Sequence, residues 1–545
     1  LTMRSGDSRY TKTKLEDMIN EGQLMEFEFK EAKNKDEIKS EEYGYKLAMD
    51  SNGITYSPNT TPSAQKIVIK DGGIGLNVES DIYFNPSARD QEDKDKLDYA
   101  INKIITQFAN KFSNLREVEI NEGGTLVTFN GKQITDPLSD SIDLSRGFAE
   151  YEFGQYNSAP YNVNLRITGN GDLFKFKNYS LNVDENVNLD DPSNKYTKIL
   201  RKIINPGITV YRYAKITGSN DNQIGAVAIG HSGSNEGIIE LKGNNTIGAF
   251  VRNSYFGNGG TISVNKNSTG IYAIYDTAED VHYNIISASG SNIIIGENST
   301  GMHIYSKYNN IFLSVHNGDF ESKTSIMANE DADNAVGILL DLGEEKSGSN
   351  TFTPIIMNMG IIDLKGNRAT GMYFTGKGEA TIFNYLGGSI IIGNSKDINR
   401  PGIGIYSDNP NGIIRNAAII EIGKNDIGMA GVNGTTVKNE GTIIIKDDNS
   451  IGMYLSSGAK GFNEWVNTIK TEGSPKNVIG VFVGQDAEFT NNGSIIINSE
   501  GGAGIVVAGG TIKNYGNIEV SGGAVRERVE TPLLAISLSD RKMPV

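Results

Sequence analysis

The sequence predicts an all-β protein: a right-handed parallel β-helix, or solenoid, with loop insertions and a small helical or irregular N-terminal part. Two observations carry this. The phrase "NEGTIIIKDDNSIGMYLSSG" at residues 439 to 458 returns downstream as "NNGSIIINSEGGAGIVVAGG" and upstream as "EGIIELKGNNTIGAFV". A second glycine also recurs, with Gly404, Gly428 and Gly452 spaced 24 residues apart and Gly480 and Gly504 again 24 apart. A strand-turn-strand phrase restated at a nearly fixed period marks a repeat architecture, because one unit cannot bury its apolar face alone.

The first strand of the unit opens at Gly237, Gly360, Gly441, Gly493 and Gly516. Two and four residues on come Ile239 and Leu241, Ile362 and Leu364, Ile443 and Ile445, Ile495 and Ile497, and Ile518 and Val520. Between them sit Glu240, Asp363, Ile444, Ile496 and Glu519, so carboxylates are tolerated only at the middle position. Period-two alternation of this kind turns positions two and four into a core. The second glycine, at residues 225, 248, 270, 301, 337, 371, 404, 428, 452, 480 and 504, begins a further apolar segment such as "GAFV", "GMYF" or "GIVV". Leucine-rich repeats would show an L-x-x-L-x-L frame with an asparagine ladder, and propeller blades need about 40 residues. Coils stacked about 4.8 Å apart fit instead. The glycines and the "KGNN", "KDDN" and "NSEGG" stretches are then read as corners where a positive φ is cheap.

The rest of the chain divides around this repeat. Residues 1 to 63 form a charged irregular or helical N-terminal segment, and residues 64 to 207 read as early β-helix coils, from "AQKIVIKDGGIGLNV" and "REVEINEGGTLVTFNGKQI". Inserted among them is a helix at about residues 89 to 112, where Leu97, Ile101, Ile104, Ile105, Phe108 and Phe112 share a stripe at helical spacing. A weaker helix is expected in "NKYTKILRKII", residues 194 to 204. Residues 208 to 523 are the regular β-helix, and residues 524 to 545 leave the repeat as a tail.

Composition narrows the function classes. The 545 residues hold 64 Gly against 13 Pro, and 51 Lys+Arg against 66 Asp+Glu give a formal charge of -15. Such a charge repels phosphate backbones and anionic membrane surfaces, so no nucleic-acid partner is expected. The absence of cysteine excludes disulfides, thiolate catalysis and Cys-ligated zinc. No apolar run approaches the roughly 20 residues that span a bilayer, and "LTMRSGDSRY" has no apolar h-region.

Runs such as "NEGTIIIKDDNSIGMYLSSGAK", "NNGSIIINSEGGAGIVVAGGTIKNYGNIEV" and "NMGIIDLKGNRATGMYFTGKG" resemble the passenger repeats of large type V autotransporter adhesins of bacteria, especially the fusobacterial type. The resemblance covers residues 208 to 523 well and residues 64 to 200 loosely. It implies an extracellular rod displayed on the outer membrane of the bacterial cell surface, attached through a C-terminal barrel that this chain lacks. The implied partners are host glycans, host cell-surface receptor proteins or other bacteria. The alternatives are a β-helical polysaccharide lyase or hydrolase and a purely structural spacer rod.

Catalytic motifs are weak. "GMYFTGKG" at residues 371 to 378 matches G-x-x-x-x-G-K but places Gly378 where a phosphate loop needs Ser or Thr. His231, His282, His303 and His316 include no H-E-x-x-H pair, and "GHSGS" is not a nucleophile elbow. Glu279 with Asp280, Asp331 with Asp333, and Glu344 with Glu345 fall in apparent insertions where charge is the solvated default. No catalytic residue, cofactor or metal is therefore expected, and no calcium-loop motif occurs. Recognition is expected from the insertions, since loops on a rigid stack carry unrepeated shape. The candidates for ligand or receptor binding are Trp465, the only tryptophan, with Phe462, and Tyr305, Tyr308, His303 and His316 on the longer steps.

Overall fold

The computed structural model of the chain describes residues 45–50, 53–58, 66–70, 72–79, 117–130, 141–143, 155–158, 163–277, 283–287, 290–318, 324–346 and 352–529. Strands make up most of the regular structure of the described residues, and their long parallel sheets stack as a parallel β-helix. Two compact units separate: Leu1–Glu185 with Pro192–Gly207 and Gly230–Ser232, and Asn186–Asp191 with Ile208–Ile229 and Gly233–Val545.

In the first unit Lys66–Ile69, Glu117–Ile120 and Val163–Gly169 pair in parallel. Ile74–Glu79, Thr125–Asn130 and Asp172–Lys177 form a second parallel set. Gly72 and Gly123 take φ values of +75° and +78° in the turns that lead from the first set to the second, a conformation that favours glycine. Part of the N-terminal segment expected to be irregular or helical is instead an antiparallel pair, Tyr45–Asp50 with Gly53–Pro58. The helix Lys195–Leu200 lies inside "NKYTKILRKII". Asn194 caps it by accepting the Thr197 N–H at 2.7 Å, and Tyr196 and Ile199 are buried. The helix expected at residues 89 to 112 lies outside the described residues.

The second unit is built of rungs of three strands. In one rung Thr436–Asn439 leads through a corner to Thr442–Ile445, and a second corner leads to Ile451–Leu455. Each strand pairs in parallel with its counterpart one rung on, and the middle strands together make a 13-stranded sheet. Ile239, Ile362, Ile443 and Ile495 are fully buried, while Glu240, Asp363, Ile444 and Ile496 between the inward positions are half-buried. The outward carboxylates meet lysines of the same face, as Glu240 does with Lys215 and Glu421 with Lys446. Residues 525 to 529, set with the tail by the sequence reading, form the strand Val525–Val529 in register with Ala503–Val507. The remainder of that tail lies outside the described residues.

The repeated glycines differ from the sequence expectation. None of the glycines at 225, 248, 270, 301, 337, 371, 404, 428, 452, 480 and 504 has a positive φ. They stand in a column, and a Cβ on Gly404 would lie 2.4 Å from the carbonyl oxygen of Gly428, one on Gly428 2.5 Å from that of Gly452, and one on Gly480 2.4 Å from that of Gly504. Close approach between rungs, not a left-handed backbone, requires glycine there. The left-handed residues at the corner just before this column are mostly asparagines: Asn222, Asn245, Asn267, Asn298, Asn334, Asn425, Asn449 and Asn477 have φ between 51° and 62°. The "KGNN", "KDDN" and "NSEGG" stretches do turn this way, at Asn245, Asn449 and Gly501.

A buried asparagine ladder also runs through the other corner, a feature that the sequence reading reserved for leucine-rich repeats. The side-chain amide of Asn358 donates to Asn384 Oδ1 at 2.8 Å, Asn384 to Asn416 at 2.8 Å, Asn416 to Asn439 at 2.9 Å, Asn439 to Asn463 at 2.9 Å and Asn463 to Asn491 at 2.8 Å. Every donor points toward the C-terminal side. The run is interrupted where Ser287 takes the register position between Asn258 and Asn317, and Asn317 Oδ1 there is buried with no hydrogen-bond partner among the described residues.

Two outcomes test this register. Ile443→Asp is expected to cost more than about 4 kcal/mol, because a carboxylate would be buried unpaired, whereas Ile444→Asp, on the outer face beside Lys470, should cost under about 1 kcal/mol. Equal melting temperatures for the two would reverse the inward face. Asn439→Ala should lower stability by about 2–4 kcal/mol, since it leaves the Asn416 donor and the Asn463 acceptor without their ladder partner, while Asn492→Ala just beyond the ladder should stay within about 0.5 kcal/mol. Chemical denaturation of both variants measures the difference.

Candidate binding surface

The corner that follows the asparagine ladder sets the geometry of the first site. In most rungs it is two residues long, as at Ala417 and Ala418, Glu440 and Gly441, or Asn492 and Gly493. Three described rungs lengthen it to four residues and close it with a backbone bond: Ala214 N to Tyr211 O at 2.9 Å, Gly388 N to Tyr385 O at 2.8 Å and Asn467 N to Glu464 O at 3.3 Å. Each lengthened turn lifts one large side chain into solvent. Tyr213 is 74% exposed, Leu386 58% and Trp465 69%. The third position needs a positive φ in the last two of these turns; Gly387 supplies it at +90°, but Val466 takes +60° while 99% exposed. A β-branched residue in that conformation costs on the order of 1–3 kcal/mol, and no burial of its side chain offsets this.

Phe462 precedes this turn on the strand Lys460–Asn463, half-buried, with Lys438 Nζ 5.9 Å from its ring centre. The other four residues expected to bind lie apart from it. His303, Tyr305 and Tyr308 belong to a nine-residue strand, Thr300–Tyr308, and His316 to Leu313–Asn317, so they are strand residues and not loop residues. Their rungs can lengthen because the next counterpart, Val336–Glu345, is itself ten residues long and pairs with a shift between Ser306 and Tyr308. At about 4.8 Å per rung, Tyr305 stands roughly 30 Å along the stack from the Trp465 rung. One surface therefore cannot use both groups against a small ligand.

The outer face at the longer strands holds a second cluster. Tyr272 packs on His303 with ring centres 4.9 Å apart, and Tyr305 stands in register between Ile274 and Asp341. Two rungs on, the Tyr373 hydroxyl donates to Asp408 Oδ2 at 2.9 Å, while Asp408 Oδ1 is buried without a hydrogen-bond partner among the described residues. Burial, and then the charge of Asp408, raise the Asp341 carboxyl above the usual range. Elsewhere the charged pairs are structural: Glu345 meets Lys307 at 3.0 Å, Glu344 meets Lys377 at 3.6 Å and Asp333 accepts the Asn367 N–H at 3.1 Å. The phosphate-loop look-alike is the strand Thr370–Gly376, with Gly371 in the glycine column. Glu279, Asp280 and His282 lie outside the described residues. Among the described residues no three His, Asp or Glu side chains are grouped to hold a metal ion.

Tyr213, Leu386 and the Tyr373–Asp408–Asp341 group escaped the sequence reading. The lengthened turns could have been found by counting residues between each ladder asparagine and the following strand. Comparison with family models, curated proteins and solved structures returns no match to this chain.

Burial holds three imidazoles below their ordinary value of 6.5, His231 and His303 at about 4 and His316 in the same direction. His231 is buried against the Ser180 hydroxyl at 2.9 Å. The unfolded chain thus binds these protons first, so the stabilisation is complete above pH 6.5 and is lost as the pH falls through 6.5 toward 4. Full protonation of His231 or of His303 should cost about 3 kcal/mol. Melting temperature should fall over that window, and His303→Phe, matching Phe250 two rungs back in the same column, should shrink the fall. An unchanged fall in that variant would remove His303 from the account.

Proposed function

We propose that the chain is the passenger region of a surface-displayed bacterial adhesin of the autotransporter type. Its β-helix is the scaffold, and attachment to glycans, receptor proteins or other bacteria is made by side chains lifted from irregular corners, Trp465 foremost. The observation that carries this reading is the turn at Trp465 and Val466, where two neighbouring apolar side chains are exposed, one of them on a left-handed β-branched residue. Strain without a packing return collects at binding elements. A flat ring with a polar edge suits a partly wet interface.

A second reading, glycan hydrolysis, draws on Asp341 and Asp408, because a carboxyl held toward its neutral form near a second carboxyl group is what paired acid and base roles require. A broad glycan panel separates the two. Retention without new reducing ends supports adhesion, release of reducing ends supports hydrolysis, and neither outcome leaves a spacer rod.

Trp465→Ala is expected to weaken attachment to cells at least fivefold, about 1 kcal/mol, with the β-sheet dichroism unchanged. Replacing residues 460 to 476 by a short Gly-Asn corner should do the same. If removal of residues 1 to 60 abolishes attachment and both corner variants leave it intact, binding belongs to the N-terminal segment.

A further inference from the structure

The three lengthened turns share one rule: each gain of two residues at this corner exposes one large apolar side chain, at Tyr213, Leu386 and Trp465. Tyr515, in a two-residue turn at the same corner, is 70% exposed. The corner follows a ladder asparagine at Leu386, Trp465 and Tyr515, and at Tyr213 it follows Val210, which holds the same register position, so register fixes the spacing along the stack. From Asn384 through Asn416 and Asn439 to Asn463 is three rungs, and from Asn463 through Asn491 to Asn514 is two. Leu386 and Trp465 are therefore about 14 Å apart along the stack, and Trp465 and Tyr515 about 10 Å.

We propose that this edge binds a linear, uncharged polysaccharide lying along the solenoid axis, its sugar rings resting on Leu386, Trp465 and Tyr515. The proposal rests on the reading that the exposed corners are binding elements. A protein interface has a contiguous apolar core, whereas here the apolar tips, Leu386, the Trp465 and Val466 pair and Tyr515, are separated by Ala417 and Ala418, Glu440 and Gly441, and Asn492 and Gly493. An extended sugar polymer matches that pattern, offering flat apolar ring faces at regular intervals with hydroxyls between them. Glu464 at the same corner, with the formal charge of -15, acts against sulfated or uronate chains, while Glu440 is paired with Arg415 at 2.7 Å.

The test titrates the full chain with cello-, xylo- and N-acetylchito-oligosaccharides of increasing length, following fluorescence of the single tryptophan. Affinity should rise at least about tenfold once the oligomer reaches from Trp465 to Tyr515. Tyr515→Ala should remove that gain while leaving the affinity of short oligomers unchanged, and a sulfated polymer of equal length should bind more weakly. A length-independent affinity, or a Tyr515→Ala variant indistinguishable from the parent, overturns the row. If no oligosaccharide changes the fluorescence but Trp465→Ala still abolishes attachment to cells, the partner is a protein and the polysaccharide inference alone fails. If Trp465→Ala also leaves attachment intact, the reading beneath it fails too. Self-association lost in Trp465→Ala would assign the edge to a second copy and overturn the proposal.

Discussion

The second unit depends on rungs held in register at strand-pairing distance. Once every rung must hydrogen-bond to the next about 4.8 Å away, the space between neighbouring backbones is fixed at each point of the cross-section. Where one rung bends closest to the next, no side chain fits, and the glycine column from residue 225 to residue 504 follows. The same spacing brings identical amides to hydrogen-bonding distance, which is why one asparagine per rung satisfies both the donor before it and the acceptor after it. A buried polar group that would be a liability in an ordinary core becomes a register mark, because a strand slipped by one residue would leave its amide unpaired.

This constraint also explains where variation is allowed. Inward positions are mostly Ile, Leu and Val, with Gly218, Ala328 and Thr471 among the departures, while outward ones alternate freely among Glu240, Asp363, Ile444 and Lys470 because solvent and the neighbouring rung share them. Surface ion pairs such as Lys446 with Glu421 decorate that face and add little to stability. Corners have one further freedom: residues can be added without disturbing the pairs on either side. Asn463 and Thr468 keep their register partners although four residues separate them, where two suffice between Asn439 and Thr442.

Sequence and structure agree wherever a residue's role is set by its own rung. The alternation around Ile443 and Ile445 shows burial directly, since period-two patterning needs no knowledge of neighbours. Roles set between rungs were harder to read. The glycine column looks like a set of corners until the facing carbonyl is in place. The asparagine ladder was visible as N-x-G at residues 358, 439, 491 and 514, yet the amide pairing that gives it meaning exists only after stacking. Trp465 was found because tryptophan is rare here, whereas Leu386 has no such distinction and is recognisable only from its place in a lengthened turn. His303 and Tyr305 were taken for loop residues because a long strand paired with another long strand resembles an insertion when only glycine spacing is counted.

The left-handed conformation of Val466 has no signal in the sequence, since valine is among the residues least suited to it. It is maintained because the strands on both sides of the turn are fixed by rungs before and after: Lys460–Asn463 pairs with its counterparts in both directions, and so does Thr468–Thr471. A turn closed between two such anchored ends cannot relax by shifting either end, so the energy of an unfavourable φ stays localised in it. The stack thereby fixes the backbone that carries the exposed Trp465. A rigid repeat can thus present an aromatic residue to a partner without the backbone ordering entropy that a free loop would lose on binding.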